Sequence, residues 1–222
     1  MKIADLVIQT IESQPFAENT YVINREGQTD CLIIDPGFEP QKIVAYVQAE
    51  NLSPTAILNT HGHSDHIAGN DAMKQTWPNI PLIIGEGDAE KLTDPQLNLS
   101  APFGMPMVSP PADQTVREGD SLELAGMSLE VLETPGHSIG HVVFIYRSAP
   151  IVVIGGDVLF AGSIGRTDFP DGSLQDLTKA IHQKLFVLPG DSLVLPGHGP
   201  TTTIEREIEG NPFVGVPAGY AR

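Results

Sequence analysis

The chain of 222 residues has a single cysteine, Cys31, and lacks any apolar run long enough to cross a membrane. One cysteine excludes an internal disulfide and is typical of a reducing compartment. A transmembrane helix needs about 18 or more consecutive apolar residues. The N-terminal segment MKIADLVIQTIES also lacks the apolar core and cleavage site of a signal peptide. These absences predict a cytoplasmic protein, and the apolar run CLIIDPG around Cys31 predicts an inert, buried thiol.

Basic residues are scarce as well. Twelve lysines and arginines stand against 28 aspartates and glutamates, which gives a net charge of −16. A chain this acidic repels nucleic acids and anionic membrane surfaces, and no cluster of basic residues makes an exception. The charge therefore excludes nucleic acid and membrane surfaces as partners.

Hydrophobic residues make up 41% of the chain, together with 22 glycines and 19 prolines, which is a globular composition rich in turns. A chain of this length buries a sizeable core without a disulfide or structural metal, so any bound metal is free to serve chemistry.

Short apolar runs alternate with helical patterns, as in α/β folds. Strands are predicted at YVIN, CLIIDPG, TAILNT, PLIIG, MSLEVLE, HVVFIY, IVVIGGD and SLVLPGHG, helices at PQKIVAYVQAENL and SLQDLTKAIHQKLF, and a loop over 101–114. The second helix is expected to be capped by Ser173 with Asp176 and to share one buried face among Leu174, Leu177, Ile181 and Leu185.

Four predicted strands end in a turn that contains histidine or aspartate, in the segments AILNTHGHSDH, VLETPGHSIGH, VVIGGD and LVLPGHG. In layered α/β folds, sites form where strand ends meet loops, because the sheet holds distant parts of the chain together. These four ends carry five imidazoles and two carboxylates: His61, His63, Asp65, His66, His137, Asp157 and His198. That set is sufficient for two divalent metal ions, with zinc as the expected ion and iron and manganese as alternatives.

The spacing within these segments supports a metal site. In extended backbone, residues i and i+2 point the same way, so His61 and His63 can hold one ion. Asp65 and His66 follow where the chain turns and can face a second ion. Asp157 follows two glycines, which leave room for close approach, and a carboxylate can bridge two ions.

Three other polar residues have two interpretations each, and a fourth has one. Asp35 in IIDPG is either a turn aspartate or a residue that orients a ligand histidine. His141, at the start of a strand, is either core or part of the substrate site. Arg166 is either a solvated loop charge or the cation that binds an anionic part of the substrate in an otherwise acidic protein. His182, inside a helix, is interpreted as an ordinary histidine.

The segments THGHSDH, TPGHSIGH, GGDVLF and LPGHGP resemble, in order, the metal-binding motifs of the metallo-β-lactamase superfamily, and the resemblance extends from Asp35 to His198. The loop GSIGRTDFPDG and the ending TTTIEREIEGNPFV are similar to short glyoxalase II-like proteins. The resemblance implies a four-layer αββα sandwich, formed by residues 1–222 as one domain without a separate C-terminal helical domain. It further implies that His61, His63 and His137 bind the first metal, that Asp65, His66 and His198 bind the second, and that Asp157 bridges them.

The implied activity is hydrolysis of thioesters, with S-2-hydroxyacylglutathione as the candidate substrate, by a metal-bridged hydroxide. Asp65 and Asp157 are then the expected catalytic residues, and Arg166 and His141 the expected substrate-binding residues. Two departures from longer glyoxalase II enzymes leave the thiol carrier open. Only 24 residues follow His198, and Arg166 and Asp168 stand where those enzymes have a lysine and, nearby, a tyrosine.

Three alternatives remain at this stage. Persulfide dioxygenases share the fold and a GRTDF loop but bind one iron through two histidines and one aspartate. Another ester or lactone hydrolase would use the same ligands, and a binding scaffold would use a metal only for stability. The final turn PGHGP, and His141 where the dioxygenases tend to have cysteine, favour a hydrolase. Seven ligands for two ions leave positions for water, which favours catalysis over a closed structural site.

Overall fold

The computed structural model describes residues 1–221, whose first sheet has seven strands that follow one another in chain order. They are β1 (Lys2–Ile3), β2 (Leu6–Ser13), β3 (Glu18–Arg25), β4 (Asp30–Ile34), β5 (Ser53–Asn59), β6 (Leu82–Gly85) and β7 (Gln114–Val116). Neighbours are antiparallel from β1 to β4 and parallel from β4 to β7. The change to parallel pairing places the ends of β4 and β5 at the same edge of the sheet.

The second sheet has six strands and is mainly antiparallel. Its strands are β8 (Ser121–Leu124), β9 (Met127–Glu133), β10 (Val142–Tyr146), β11 (Val152–Gly156), β14 (Leu193–Pro196) and β15 (Thr202–Thr203), in the order β15-β14-β11-β10-β9-β8. Only the β11–β14 pair is parallel among these. A small hairpin of β12 (Leu159–Phe160) and β13 (Ser163–Ile164) follows β11.

Within the described residues, five α-helices accompany the sheets: α1 (Pro40–Ala49), α2 (Ser64–Ile67), α3 (Asn70–Thr76), α4 (Leu174–Ala180) and α5 (Ile204–Gly210). A π-helical turn (Ile181–Leu185) continues α4, and 3-10 helices lie at Glu86–Leu92 and Val216–Ala218. Within residues 1–221, no helix combines the length and hydrophobicity that a membrane crossing requires.

Three hydrophobic cores separate four layers. In β4, Leu32 belongs to the core between the two sheets, whereas Ile33 belongs to the core beneath α1 and α3. In β10, Phe144 lies between the sheets and Val143 packs towards α4 and α5. Side chains of a strand alternate between its two faces, so strands buried on both faces are apolar at successive positions. The predicted αββα sandwich is confirmed by this layering.

The predicted elements agree with the structure except at one position of the second helix. Ser173 Oγ accepts a hydrogen bond from the backbone N–H of Asp176 at 3.2 Å, so one half of the predicted capping box is present, whereas the N–H of Ser173 donates to the carbonyl of Gly136 at 2.7 Å. Leu177, Ile181 and Leu185 are buried, but Leu174 is 57% exposed, and its assignment to the core was wrong. Leu174 is the first helical residue, and helical side chains lean towards the N-terminus, so this one extends beyond the underlying sheet.

Cys31 is fully buried in the core beneath α1. Burial raises the pKa of its thiol to about 12. The prediction of a buried thiol is confirmed, and because the thiolate is the reactive form, the raised pKa agrees with an inert one.

The two sheets meet at the edge that carries the histidine motifs. The backbone N–H of Val142, at the start of β10, donates to the carbonyl of Thr60, just after β5, at 2.8 Å. The ends of β11 and β14 join the same edge through a bond from the N–H of Gly197 to the carbonyl of Gly156 at 2.8 Å. Gly156 has φ of +48°, and a Cβ there would lie 2.3 Å from Thr60 Oγ1, so this junction requires glycine.

Candidate metal centre

The structure brings together all seven residues that the sequence analysis selected as ligands. Potential ligand atoms approach within 4.8 Å of one another in three groups: His61, His63 and His137; His61, His66 and Asp157; and Asp65, His66 and His198. The nitrogen and oxygen ligands of one zinc ion each lie about 2.0–2.2 Å from it, so the distance between any two of these ligand atoms is also below this limit. The chain therefore has a histidine-rich centre with donors for more than one divalent ion.

Asp157 lies between the groups. Its Oδ2 is 3.5 Å from His137 Nε2 and 3.5 Å from His198 Nε2, while its Oδ1 is 3.5 Å from His66 Nε2. Asp65 Oδ2 lies 3.4 Å from His198 Nε2 and 3.8 Å from His66 Nε2. Asp157 thus faces His137 of the first group as well as His66 and His198 of the third, which is the position of a bridging ligand.

Backbone carbonyls orient two of the imidazoles. His137 Nδ1 lies 2.9 Å from the carbonyl oxygen of Arg166, and His198 Nδ1 lies 3.1 Å from that of Phe16. A carbonyl oxygen only accepts, so each Nδ1 carries the proton and each Nε2 turns its lone pair towards the cluster. Hydrogen bonds of this kind fix the tautomer and the ring orientation of metal-binding histidines.

Several buried polar atoms of the cluster have no hydrogen-bond partner. They are the Nε2 atoms of His61, His63 and His66 and the Oδ1 of Asp157. In addition, His63 Nδ1 lies only 2.9 Å from His137 Nε2. Buried polar groups are nearly always paired, so converging orphaned nitrogens and a carboxylate oxygen fit a cation that takes their lone pairs.

Asp35 fixes His66 from behind. Its Oδ1 accepts the backbone N–H of Thr60 at 2.7 Å, and its Oδ2 accepts the Thr60 hydroxyl at 2.7 Å and faces His66 Nδ1 at 3.1 Å. The backbone of Asp35 has φ of +48°, a left-handed conformation that aspartate tolerates better than most residues. Of its two interpretations, the orienting one agrees with these contacts.

The protonation behaviour of the cluster suits cation binding. Burial, followed by the neighbouring His66, lowers the pKa of His61 well below its usual value. Burial alone would lower the pKa of His66, but the carboxylates of Asp157 and Asp65 raise it well above the usual value. Burial also acts to raise the pKa of Asp157, and His66 outweighs that effect and holds it below the usual range. These shifts favour a neutral His61 and an ionised Asp157, the forms that bind metal ions, and the raised pKa of His66 reflects the negative charge of the two carboxylates that face it.

His141 was predicted to bind substrate, but its side chain has no exposed surface, so that prediction was wrong. The residue is fully buried behind the ligands, with Nδ1 2.9 Å from Thr134 Oγ1. Its Nε2 accepts the backbone N–H of Asp157 at 3.1 Å, and its ring stacks on His61 at 5.0 Å. The turn before β10 passes beneath the cluster, so His141 positions Asp157 and His61 without an open path to a substrate.

A buried charge network, which was not predicted from the sequence, joins the loop that carries His61 and His63 to the loop that carries His137. Asp88 lies in the 3-10 helix Glu86–Leu92, and its Oδ2 accepts the N–H of Gly62 at 2.8 Å. Its Oδ1 accepts the N–H of Gly140 at 2.8 Å and the hydroxyl of Ser138 at 2.7 Å. Lys91 Nζ lies 3.4 Å from the same oxygen. The segment EGDAEKL has no local pattern that would mark this role.

Lys91→Met is expected to lower the free energy of unfolding by about 2–3 kcal/mol. Lys91 is nearly buried and pairs with Asp171 Oδ2 at 2.6 Å, so its loss leaves the buried Asp88 and the partly exposed Asp171 without their cation. Urea denaturation provides the measurement. The control is Lys42→Met, which breaks an exposed pair with Glu39 and is expected to cost under about 1 kcal/mol. Equal losses in the two variants would contradict a stabilising network.

A cavity of about 390 Å³ opens beside the cluster. His63, Asp65, His137, Asp157 and His198 line its floor. Six apolar residues form most of its walls: Phe16, Leu99, Phe103, Phe160, Ile164 and Phe169. This is the concave, largely apolar form of a small-molecule site with a few polar groups at one end.

Arg166 lines the cavity as expected, but its charge is already paired. Its Nε and Nη2 each donate to a carboxylate oxygen of Asp168 at 2.7 Å, and this guanidinium lowers the pKa of Asp168 to about 2. Its Cζ lies 4.4 Å from the ring centroid of Phe169. The Phe169 ring in turn packs on His63, at 5.2 Å, and His137. The aromatic residue of this loop is therefore Phe169, one position after Asp168.

Comparison with known sequences agrees with this geometry. The model of the family described as "Metallo-beta-lactamase superfamily" matches residues 13–198. "Probable metallo-hydrolase YqgX" of Bacillus subtilis is 41% identical over 201 residues, which cover 90% of this chain and 93% of the relative. "Hydroxyacylglutathione hydrolase GloC" of Haemophilus influenzae is 36% identical over 210 residues, which cover 93% and 97%.

Solved structures show the same likeness. BLEG-1, described as a B3 metallo-beta-lactamase, superposes with a TM-score of 0.89 at 38% identity and covers 94% of this chain and 99% of its own. TTHA1623 in a di-iron-bound form gives 0.81 at 34% identity, with 92% and 99% covered. ETHE1 from Myxococcus xanthus gives 0.79 at 26% identity, with 95% and 85% covered.

Proposed function

Because this chain belongs to the metallo-β-lactamase superfamily, we propose that it is a metallo-hydrolase that cleaves thioesters, with S-2-hydroxyacylglutathione as the first candidate substrate. One observation carries the proposal: at the floor of an apolar cavity, Asp157 faces His137 on one side and His66 and His198 on the other, each at 3.5 Å. The similarity to a relative named hydroxyacylglutathione hydrolase supports the thioester. The similarity to a probable metallo-hydrolase supports hydrolysis more generally.

Two metal ions are proposed as resident cofactors. His61, His63 and His137 would hold one ion, Asp65, His66 and His198 the other, and Asp157 both. Such ions supply two chemical functions when bound, since they lower the pKa of water to roughly 7 and polarise a carbonyl oxygen. Zinc remains the expected ion, while the likeness to a di-iron protein supports iron as an alternative for the same donors.

The side chains around the cavity then have separate tasks. Asp65 lies at the floor of the cavity and is one-fifth exposed, so its carboxylate can orient an attacking water and accept its proton. His141 holds Asp157 through the backbone, and Asp35 holds His66, so the ligands keep one geometry. The phenylalanine walls exclude bulk water from the reacting carbonyl. The thiolate is a good leaving group, and no side-chain nucleophile is required.

The likeness to ETHE1 favours one second candidate, a persulfide dioxygenase with a single iron. The two activities separate in one experiment. Wild-type protein, reconstituted in parallel with zinc and with iron, is expected to release glutathione from S-lactoylglutathione, detected with a thiol reagent, without consuming oxygen at an oxygen electrode. Oxygen uptake with glutathione persulfide, together with no thioester cleavage by either form, would contradict the proposed function.

A further inference from the structure

The walls of the cavity differ sharply from its floor. Five of the seven proposed ligands form the floor, whereas the remaining surface is formed mainly by the six apolar residues named above, four of them phenylalanines. A cavity of about 150 Å³ already accommodates a benzene ring. The volume of about 390 Å³ therefore holds a thioester group together with a ring or a branched chain.

The charges around the cavity disfavour an anionic part of the substrate in its interior. Arg166 is the one lysine or arginine among the lining residues described, and both of its forked donors bind Asp168. The side chains of this pair are 57% and 67% exposed, so they stand at the rim and face solvent. A charged carrier fits the rim better than the interior, and the interior is left for the uncharged part of the substrate.

Leu99 provides an independent indication that the wall has a function. Its backbone has φ of +68°, a left-handed conformation that is rare and unfavourable for a bulky side chain. The residue is nevertheless only 8% exposed and lines the cavity. Strained backbone of this kind concentrates at ligand-binding sites, where the side chain's position outweighs the conformational cost.

We propose that the cavity selects thioesters whose acyl group is uncharged and apolar, of the aromatic or branched aliphatic class, with Leu99 and the phenylalanines as the residues that determine specificity. The acyl group enters the apolar interior, the carbonyl lies over the ligand cluster, and the thiol carrier extends past Arg166 to solvent. This inference rests on the proposed thioesterase function and narrows its substrate class.

The first test varies one half of the substrate at a time. We compare kcat/KM for four thioesters of the uncharged thiol N-acetylcysteamine, which carry an acetyl, lactoyl, 3-methylbutanoyl or phenylacetyl group. The value is expected to rise by about tenfold or more from acetyl to phenylacetyl, since each buried methylene contributes about fourfold. A flat or falling series would overturn the inference. If no member is hydrolysed, and S-lactoylglutathione is not either, the proposed function itself fails.

The carrier is tested with the phenylacetyl group held constant. Glutathione and N-acetylcysteamine thioesters are expected to differ by less than about threefold in kcat/KM, because the paired Arg166 offers no free cation. A preference of more than tenfold for glutathione would overturn the inference and support carrier recognition at Arg166.

Variants of the cavity wall are compared with a control variant in which a similarly exposed phenylalanine outside the cavity is replaced. Leu99→Gly suits the left-handed backbone, and Phe103→Ala removes a ring that is 52% exposed at the cavity. Each variant is expected to lower kcat/KM for the phenylacetyl thioester by about tenfold, because KM rises. The kcat/KM of each variant for the lactoyl thioester is expected to stay within about twofold of the wild-type value. Phe213→Ala, at 57% exposure outside the cavity, is expected to change neither. Equal losses on both substrates in the wall variants would overturn the assignment of these residues.

Discussion

Replacing His63 with alanine is expected to remove the first metal ion and to lower thioester hydrolysis by about three orders of magnitude or more. His63 is buried, and its Nδ1 converges with His137 Nε2 at 2.9 Å, so the variant leaves that group with only His61, His137 and the shared Asp157. Loss of an ion removes several kcal/mol of transition-state stabilisation, and about 4 kcal/mol corresponds to three orders of magnitude. Metal content per chain and kcat/KM for S-lactoylglutathione provide the measurements.

His63→Gln is the matched variant, because glutamine fills most of the same volume without an imidazole. Both substitutions are expected to reduce the metal content below about two ions per chain, while the circular dichroism spectrum remains that of the folded protein. Normal metal content with normal turnover in either variant would refute the assignment of His63 as a ligand.

His198→Ala is expected to lower thioester hydrolysis by about two orders of magnitude or more and to leave about one ion per chain. The His198 ring faces both Asp65 and Asp157, at 3.4 and 3.5 Å, and its other nitrogen is held by the Phe16 carbonyl. Its removal leaves the second group with Asp65, His66 and the shared carboxylate, which weakens retention of that ion. The measurements are again metal content and hydrolysis of S-lactoylglutathione.

His182 supplies the control for this variant. It is the one histidine outside the seven ligands and His141, and its Nε2 lies 2.8 Å from the carbonyl oxygen of Val214. His182→Ala is expected to keep wild-type metal content and hydrolysis. A mononuclear dioxygenase does not use the second group, so a His198→Ala variant that keeps full activity with one iron per chain would contradict the two-metal hydrolase.

Prediction from sequence succeeded where the signal is local. The apolar runs of β4, β5, β6, β10 and β11 are short and bounded by turns, and burial on both faces explains why they are continuous. The strand β2 was not predicted, because Leu6 and Ile8 face the core between the sheets while Ile11 faces the core beneath the helices. The buried face thus changes along the strand, and no single alternation of period two marks it.

The chain by itself determined which residues come together at the candidate metal centre. Histidine and aspartate follow the ends of strands, and strand ends meet at one edge of a layered fold, so His61, Asp157 and His198 were predicted together although the chain separates them widely. Side-chain type and spacing carry this information, because the donor chemistry of imidazole and carboxylate belongs to the residue itself.

Only the tertiary structure decided how each residue is used. The partner of His198 Nδ1 is the carbonyl of Phe16, a residue 182 positions away, and no local pattern encodes that contact. Likewise, burial placed His141 behind the ligands, and the pairing of Arg166 with Asp168 left the cavity wall without a free cation among its described residues. Orientation, burial and charge pairing depend on groups that folding brings together from distant segments, so they follow from packing and not from residue type.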